Sequence, residues 1–211
     1  MIHFDNNLDY TNISIGEYIQ LQDLLLNNEN ELEQEDLVMQ EIQILYNRNP
    51  YTMNIHEFQK AVESLKFLAK DMPKMKVKDS YMLNGNKYVL HKELSEFKVA
   101  HYVDYEMIMK SKKGIESYPQ FLALFLTPEG HEYNDGYDMS TAIKDINNYL
   151  SIADAVSLAN FFKASSVLFT TLFLQYLRTS TSKTIKDRKT RKMFKNKMRQ
   201  LIRLTIMGYS H

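Results

Sequence analysis

Apolar residues recur at helical spacing through most of this chain. From Ser14 onward, Ile15, Tyr18, Ile19, Leu25 and Leu26 lie three, four and seven residues apart, which predicts a first helix to about Leu26. An acidic connector over 27–36 leads to a second helix marked by Val38, Ile42, Leu45 and Tyr46. It stops before Asn49-Pro50, because the residue ahead of a proline is pushed out of the α region. A third helix is capped by Asn54, with Glu57 reaching back, and carries Phe58, Ala61, Val62, Leu65, Leu68 and Ala69 on one face until Pro73. These three predict an N-terminal helical unit over 13–72, behind a polar arm over 1–12 that lacks periodicity.

The period then changes. Two short runs, 81–83 and 87–90, flank Asn84-Gly85, the dipeptide that best tolerates the positive φ of a primed turn, so a β-hairpin is expected there. A lone hairpin is marginal in water and must pack on helices or extend a partner's sheet, which makes Asn84 and Gly85 a candidate interaction edge. Helical spacing resumes near Ser95, with Val99, Tyr102, Val103 and Met107 on one side and Gly114 closing the element. Ser117 with Gln120 reads as a capping box for a short apolar helix over 121–126, ended by Pro128, and 129–138 reads as a loop. Ser140 opens a helix through Ile143, Ile146 and Leu150. Ser151 with Asp154 then opens a long apolar one to about Arg178. After a hinge at Thr179-Ser180-Thr181-Ser182, a final helix over about 184–206 carries Phe194, Met198, Leu201, Ile202 and Thr205 as an apolar stripe between basic flanks. The expected fold is mainly α, with about seven to eight helices and one short hairpin near 81–90. The hairpin plus a helical core fill 73–181 and a basic amphipathic helix fills 182–211, while 13–181 also reads as one domain.

Composition suits a packed core: 211 residues, 44% hydrophobic and 12% aromatic. The absence of cysteine excludes a disulfide framework, a thiolate nucleophile and any cysteine-containing zinc site. The start, Met1-Ile2-His3-Phe4-Asp5, has neither the basic residues nor the apolar run of a signal peptide. Residues 164–177 are uncharged but too few to cross hydrocarbon, which takes about 20 apolar residues, so a buried helix is expected and no membrane partner.

Charge changes the picture more. The totals balance, 26 basic against 26 acidic residues, yet residues 1–47 carry ten acids (Asp5, Asp9, Glu17, Asp23, Glu29, Glu31, Glu33, Glu35, Asp36, Glu41) and neither Lys nor Arg. The opposite pole is Lys186, Arg188, Lys189, Arg191, Lys192, Lys195, Lys197, Arg199 and Arg203. Such asymmetry concerns partners more than catalysis. The basic helix could neutralise phosphates of nucleic acid, meet the acidic third of a neighbouring copy in head-to-tail contacts that close into rings, or stand as a solvated face.

Catalytic patterns are missing. The six glycines form no phosphate-binding loop, and no serine lies in a G-x-S-x-G elbow. The loop His131-Glu132-Tyr133-Asn134-Asp135-Gly136-Tyr137-Asp138 lacks the alternate-position oxygens and distal Glu of a calcium loop. His56, His91 and His101 lack the helix-borne spacing of a zinc site. No catalytic residue, metal or cofactor is expected, and the chain reads as a non-enzyme.

Several segments are similar to a known group. Ile13-Ser14-Ile15-Gly16-Glu17-Tyr18-Ile19-Gln20-Leu21, Leu65-Lys66-Phe67-Leu68, Leu83-Asn84-Gly85-Asn86-Lys87-Tyr88, Val99-Ala100-His101-Tyr102-Val103-Asp104, Leu122-Ala123-Leu124-Phe125-Leu126-Thr127-Pro128 and Asn160-Phe161-Phe162 resemble small proteins from the structural gene blocks of tailed phages of Bacteroidetes, including crAss-like phages. The resemblance covers about 13–165 and rests on apolar and turn positions. It implies a non-enzymatic virion protein of the neck, tail or capsid interior, or a tail assembly chaperone absent from finished particles, made in the host bacterial cytoplasm. Other phage structural proteins and further copies of itself would be its partners. The segment 183–211 lies outside the resemblance, and DNA is a partner that its charge alone suggests.

Overall fold

The computed structural model describes residues 8–27, 33–92, 99–111, 114–133 and 135–162, together with residues 187, 190, 192, 193, 195, 196 and 199. The fold is mainly α with a small antiparallel sheet. Residues 1–159 form one compact unit and 160–211 a second.

In the first unit, α1 (Ile15–Asn27) packs on α2 (Gln34–Tyr46). Ser14 starts α1 by a reciprocal cap: its hydroxyl accepts from the Glu17 N–H at 3.2 Å while the Glu17 carboxylate accepts from the Ser14 N–H at 2.7 Å. The chain ahead of α1 is not a free arm over its whole expected length. Tyr10 and Ile13 are buried, and the Tyr10 hydroxyl donates to the Leu68 carbonyl at 3.2 Å with its ring edge-on to Phe67. Residues 10–15 then pair with 150–153 through Ile152 N–H to Ile13 O (2.9 Å) and Ala153 N–H to Tyr10 O (3.1 Å). A local reading misses this because the partner is far away in sequence. Residues 1–7 lie outside the described residues.

Asn54 and Glu57 form the expected capping box on α3 (Ile55–Ser64). Replacing Asn54 with Ala should cost about 1 kcal/mol, read as a lower urea midpoint at unchanged slope; an unchanged midpoint would contradict the role of the cap. At Leu65 the helix tightens into a 3₁₀ turn, Leu65–Ala69, and the phase shifts from 3.6 to 3.0 residues per turn. Phe67 therefore enters the core, while Val62 and Ala69, expected on the buried face, are exposed.

The hairpin forms as expected from β1 (Ser80–Leu83) and β2 (Asn86–Leu90), with φ of 50° at Asn84 and 76° at Gly85. It is not alone. β3 (Leu126–Pro128) adds antiparallel to β2, giving the order β1-β2-β3. The expected helix over 121–126 is instead α5 (Tyr118–Ala123) followed by a turn into that strand. A short apolar run lacks the period that separates helix from strand, and pairing with β2 decides it. Ser117 precedes α5 without a side-chain cap and donates its hydroxyl to the Gly114 carbonyl at 2.7 Å, so the expected capping box with Gln120 is not made.

α4 (Val99–Ser111) also departs from the expected face: Val103 and Met107 are exposed, while His101 is buried. Its neighbouring residues 93–98 lie outside the described set. α6 (Met139–Tyr149) is capped by Asp138, whose carboxylate accepts from the Ser140 N–H and from the Ser140 and Thr141 hydroxyls. Those three donors hold its pKa down to about 2. Residues 152–162 are helical and define α7, opened as expected by Ser151, which accepts from the Asp154 N–H at 3.1 Å. α6 packs on α5, α1 and β1, so the core runs from the buried Tyr81, Leu83 and Leu90 of the sheet to Ile146 and Leu150.

In the second unit Asp187 is not helical and accepts from the Thr190 N–H at 2.6 Å, an N-cap. Thr190, Lys192, Met193, Lys195, Asn196 and Arg199 are helical, and the expected start near 184 lies outside the described residues. The long apolar helix beyond 162, the hinge 179–182 and the apolar stripe Phe194, Met198, Leu201, Ile202 and Thr205 lie outside the described residues.

Candidate interaction surface

The hairpin is the feature whose chemistry sequence could only half read. Its turn is tied to the core: Asn84 Nδ2 donates to Asp145 Oδ1 at 3.1 Å, and the buried Tyr88 hydroxyl donates to Asp145 Oδ2 at 2.8 Å. Asp145 projects from α6, is buried, and satisfies both oxygens through neutral donors. Burial and the adjacent carboxylate push the Tyr88 phenol well above its ordinary value of 10. The Asn84-Gly85 tip stays exposed, but it is a fixed tip.

β2 is occupied on both sides, whereas β1 has no second strand among the described residues. The bond from Leu90 N–H to Asp79 O, together with the register, assigns the inward ladder positions to Tyr81 and Leu83. Ser80 and Met82 consequently point their N–H and C=O groups away from β2, and the Met82 side chain is 65% exposed. Among the described residues this is an open sheet edge, the geometry by which one chain accepts a strand from another.

The loop 131–138 serves structure. The Tyr133 hydroxyl donates to Asp104 at 2.5 Å, and its ring stacks on His101 with centroids 3.9 Å apart, which ties the loop to α4. The buried Thr127 hydroxyl gives its one proton to the His131 carbonyl at 2.9 Å, so the contact at 2.8 Å requires His91 Nε2 to be the donor. A cleft of about 400 Å³ lies between Tyr88, Pro128, His131, Tyr137 and Thr141, but Asp138 on its rim is already spent on capping α6. Among the described residues no group of His, Asp and Glu is placed to hold a metal. His56 is exposed on α3, away from any such group.

The acidic pole thins when each carboxylate is placed. Glu17 caps α1, and Glu41 is buried, its pKa raised by that burial. Asp9 accepts from the Thr11 N–H. What remains on the described surface is Asp23 and, at the start of α2, Glu33, Glu35 and Asp36, none of them in an ion pair among the described residues. Of the nine basic candidates, Lys192, Lys195 and Arg199 are described. They are helical and exposed, and their spacing of three and four puts them on one face. Lys186, Arg188, Lys189, Arg191, Lys197 and Arg203 lie outside the described residues.

Sequence reasoning missed a second basic element. Lys74 and Lys76 are exposed on an extended segment, 70–79, that runs into β1. Its only signal was the alternation Lys74-Met75-Lys76-Val77-Lys78, easily read as a linker.

Among the described residues no helix is long and apolar enough to cross a membrane. No family model, curated protein or solved structure matches the chain.

Proposed function

We propose that this chain is a non-enzymatic structural or assembly protein of a tailed-phage virion, belonging to the neck, tail or capsid interior and acting by oligomerisation and docking. The observation that carries the reading is the segregation of charge. Glu33, Glu35 and Asp36 cluster on α2 in a region without bases, while lysines and arginines gather elsewhere, including Lys192, Lys195 and Arg199 on one helix face. Opposite poles on one chain favour head-to-tail contact between copies, which closes into rings when the rotation allows. The resemblance over 13–165 supports the setting: its segments fall on the start of α1, the hairpin turn, α4 and the α5–β3 junction.

The basic face also favours a second reading, DNA binding through Lys192, Lys195 and Arg199. The third reading, a tail assembly chaperone, differs by its absence from finished particles. Quantitative mass spectrometry of purified particles beside infected-cell lysate separates the virion reading from the chaperone. A fixed number of copies per particle is the expected result; presence in lysate without presence in particles would replace the virion reading with the chaperone.

A further inference from the structure

The extended segment before β1 is held more firmly than a linker needs. Met75 N–H donates to Ser157 Oγ of α7 at 2.9 Å, Lys78 Nζ pairs with Asp154 Oδ2 at 3.2 Å, and Lys78 N–H donates to the Tyr81 hydroxyl at 3.2 Å. Those ties turn Met75 and Val77 inward, both half-buried, and leave Lys74 and Lys76 exposed on the other side. The two lysines, two residues apart, lie on the same exposed side of a segment tied down at Met75 and Lys78. Neither lysine is in an ion pair among the described residues. The segment continues directly into the open edge of β1, where Met82 is exposed.

A surface of this kind needs an acidic counterpart, and the chain itself carries one. Glu33 is extended, with φ −63° and ψ 150°, and makes no side-chain cap. Glu35 and Asp36 follow in the first turn of α2, all three exposed and without an ion pair among the described residues. The exposed Leu25 and Leu26 close α1 just before them in the chain, as Met82 accompanies the lysines. Lys74 and Lys76 outnumber the one exposed carboxylate that ends their segment, Asp79, which already pairs with Lys92, so the two patches carry opposite net sign.

We propose that the Lys74–Lys76 edge of one copy docks on the Glu33, Glu35 and Asp36 start of α2 in a second copy, a heterologous contact that uses two different patches of the same chain. This inference rests on the self-assembly reading above and gives it a pair of faces within the first compact unit. Single exposed ion pairs contribute little, so the contact depends on several pairs acting together with the apolar residues between them.

The test uses two full-length variants, Lys74→Glu/Lys76→Glu and Glu33→Lys/Glu35→Lys/Asp36→Lys, with retained circular dichroism as the check on folding. Light scattering at low ionic strength reads the assembly of each variant alone and of the two mixed. Like charges brought face to face weaken a contact steeply, so each variant alone should assemble on the order of 100-fold more weakly than the parent chain. Mixing them juxtaposes opposite charges again at one interface and should restore a complex. Full assembly by either variant alone, or no complex on mixing, would overturn the pairing of these patches while leaving self-assembly in place. A parent chain that is monomeric throughout would overturn both readings. Loss of binding to a single-stranded oligonucleotide by Lys74→Glu/Lys76→Glu, with assembly intact, would assign the lysines to nucleic acid and overturn the proposal.

Discussion

Replacing Tyr88 with phenylalanine should lower the stability of the fold by about 2–3 kcal/mol, a large loss for the deletion of one oxygen. The hydroxyl donates to Asp145 Oδ2 at 2.8 Å in a setting where Tyr88 is 2% and Asp145 4% exposed. Without it the carboxylate keeps only the Asn84 amide, and a buried acceptor that loses its donor costs free energy. Removing both partners, as in Tyr88→Phe with Asp145→Leu, should cost less than the sum of the single changes, because no orphaned polar group remains. Urea denaturation of the two single variants and the double variant measures the coupling. A Tyr88→Phe loss under about 0.5 kcal/mol would mean that this contact does not anchor the hairpin.

The second large effect is loss of stability at alkaline pH. Tyr10, Tyr18, Tyr81, Tyr88, Tyr118 and Tyr133 all have phenols raised above the ordinary value of 10, with burial as the first cause in each. A raised folded-state value means that the native state holds its proton more tightly than the unfolded chain. The resulting stability is complete below pH 10 and disappears as pH rises through the folded-state values. Tyr88 and Tyr133 contribute most, since each also donates to a carboxylate, Asp145 and Asp104 respectively. Phenolate absorbance followed with far-ultraviolet circular dichroism should show these tyrosines ionising only as the helical signal falls. Ionisation of all of them near pH 10 with helices intact would contradict it.

Local signals in the sequence reached as far as local physics decides the outcome. The Asn54–Glu57 box, the Ser151–Asp154 start of α7 and the Asn84-Gly85 turn each depend on residues within four positions, and each forms as expected. What stayed hidden depends on distant partners. β3 exists because Thr127 and Leu126 find Val89 and Leu90, and residues 10–15 are ordered by pairing with 150–153. The outward turn of Val103 and Met107 was hidden for another reason: α4 carries apolar residues on several sides, so periodicity does not select its buried face. The interaction surface was legible only as charge totals. Sequence marked the acidic third, but only the fold separates Glu17 and Glu41, absorbed by capping and burial, from Glu33, Glu35 and Asp36 at the surface. Lys74 and Lys76, which the sequence did not single out, are likewise placed by the fold on an exposed segment tied to α7.

Opposite charge on one chain as the driver of self-association is the claim from which the rest follows. Light scattering of the purified parent chain over a series of salt concentrations tests it most directly. The account predicts an assembly of defined mass at low ionic strength that dissociates as salt shortens the screening length to about 8–10 Å and below. A monomer at every salt concentration, or an assembly that salt does not weaken, would contradict it.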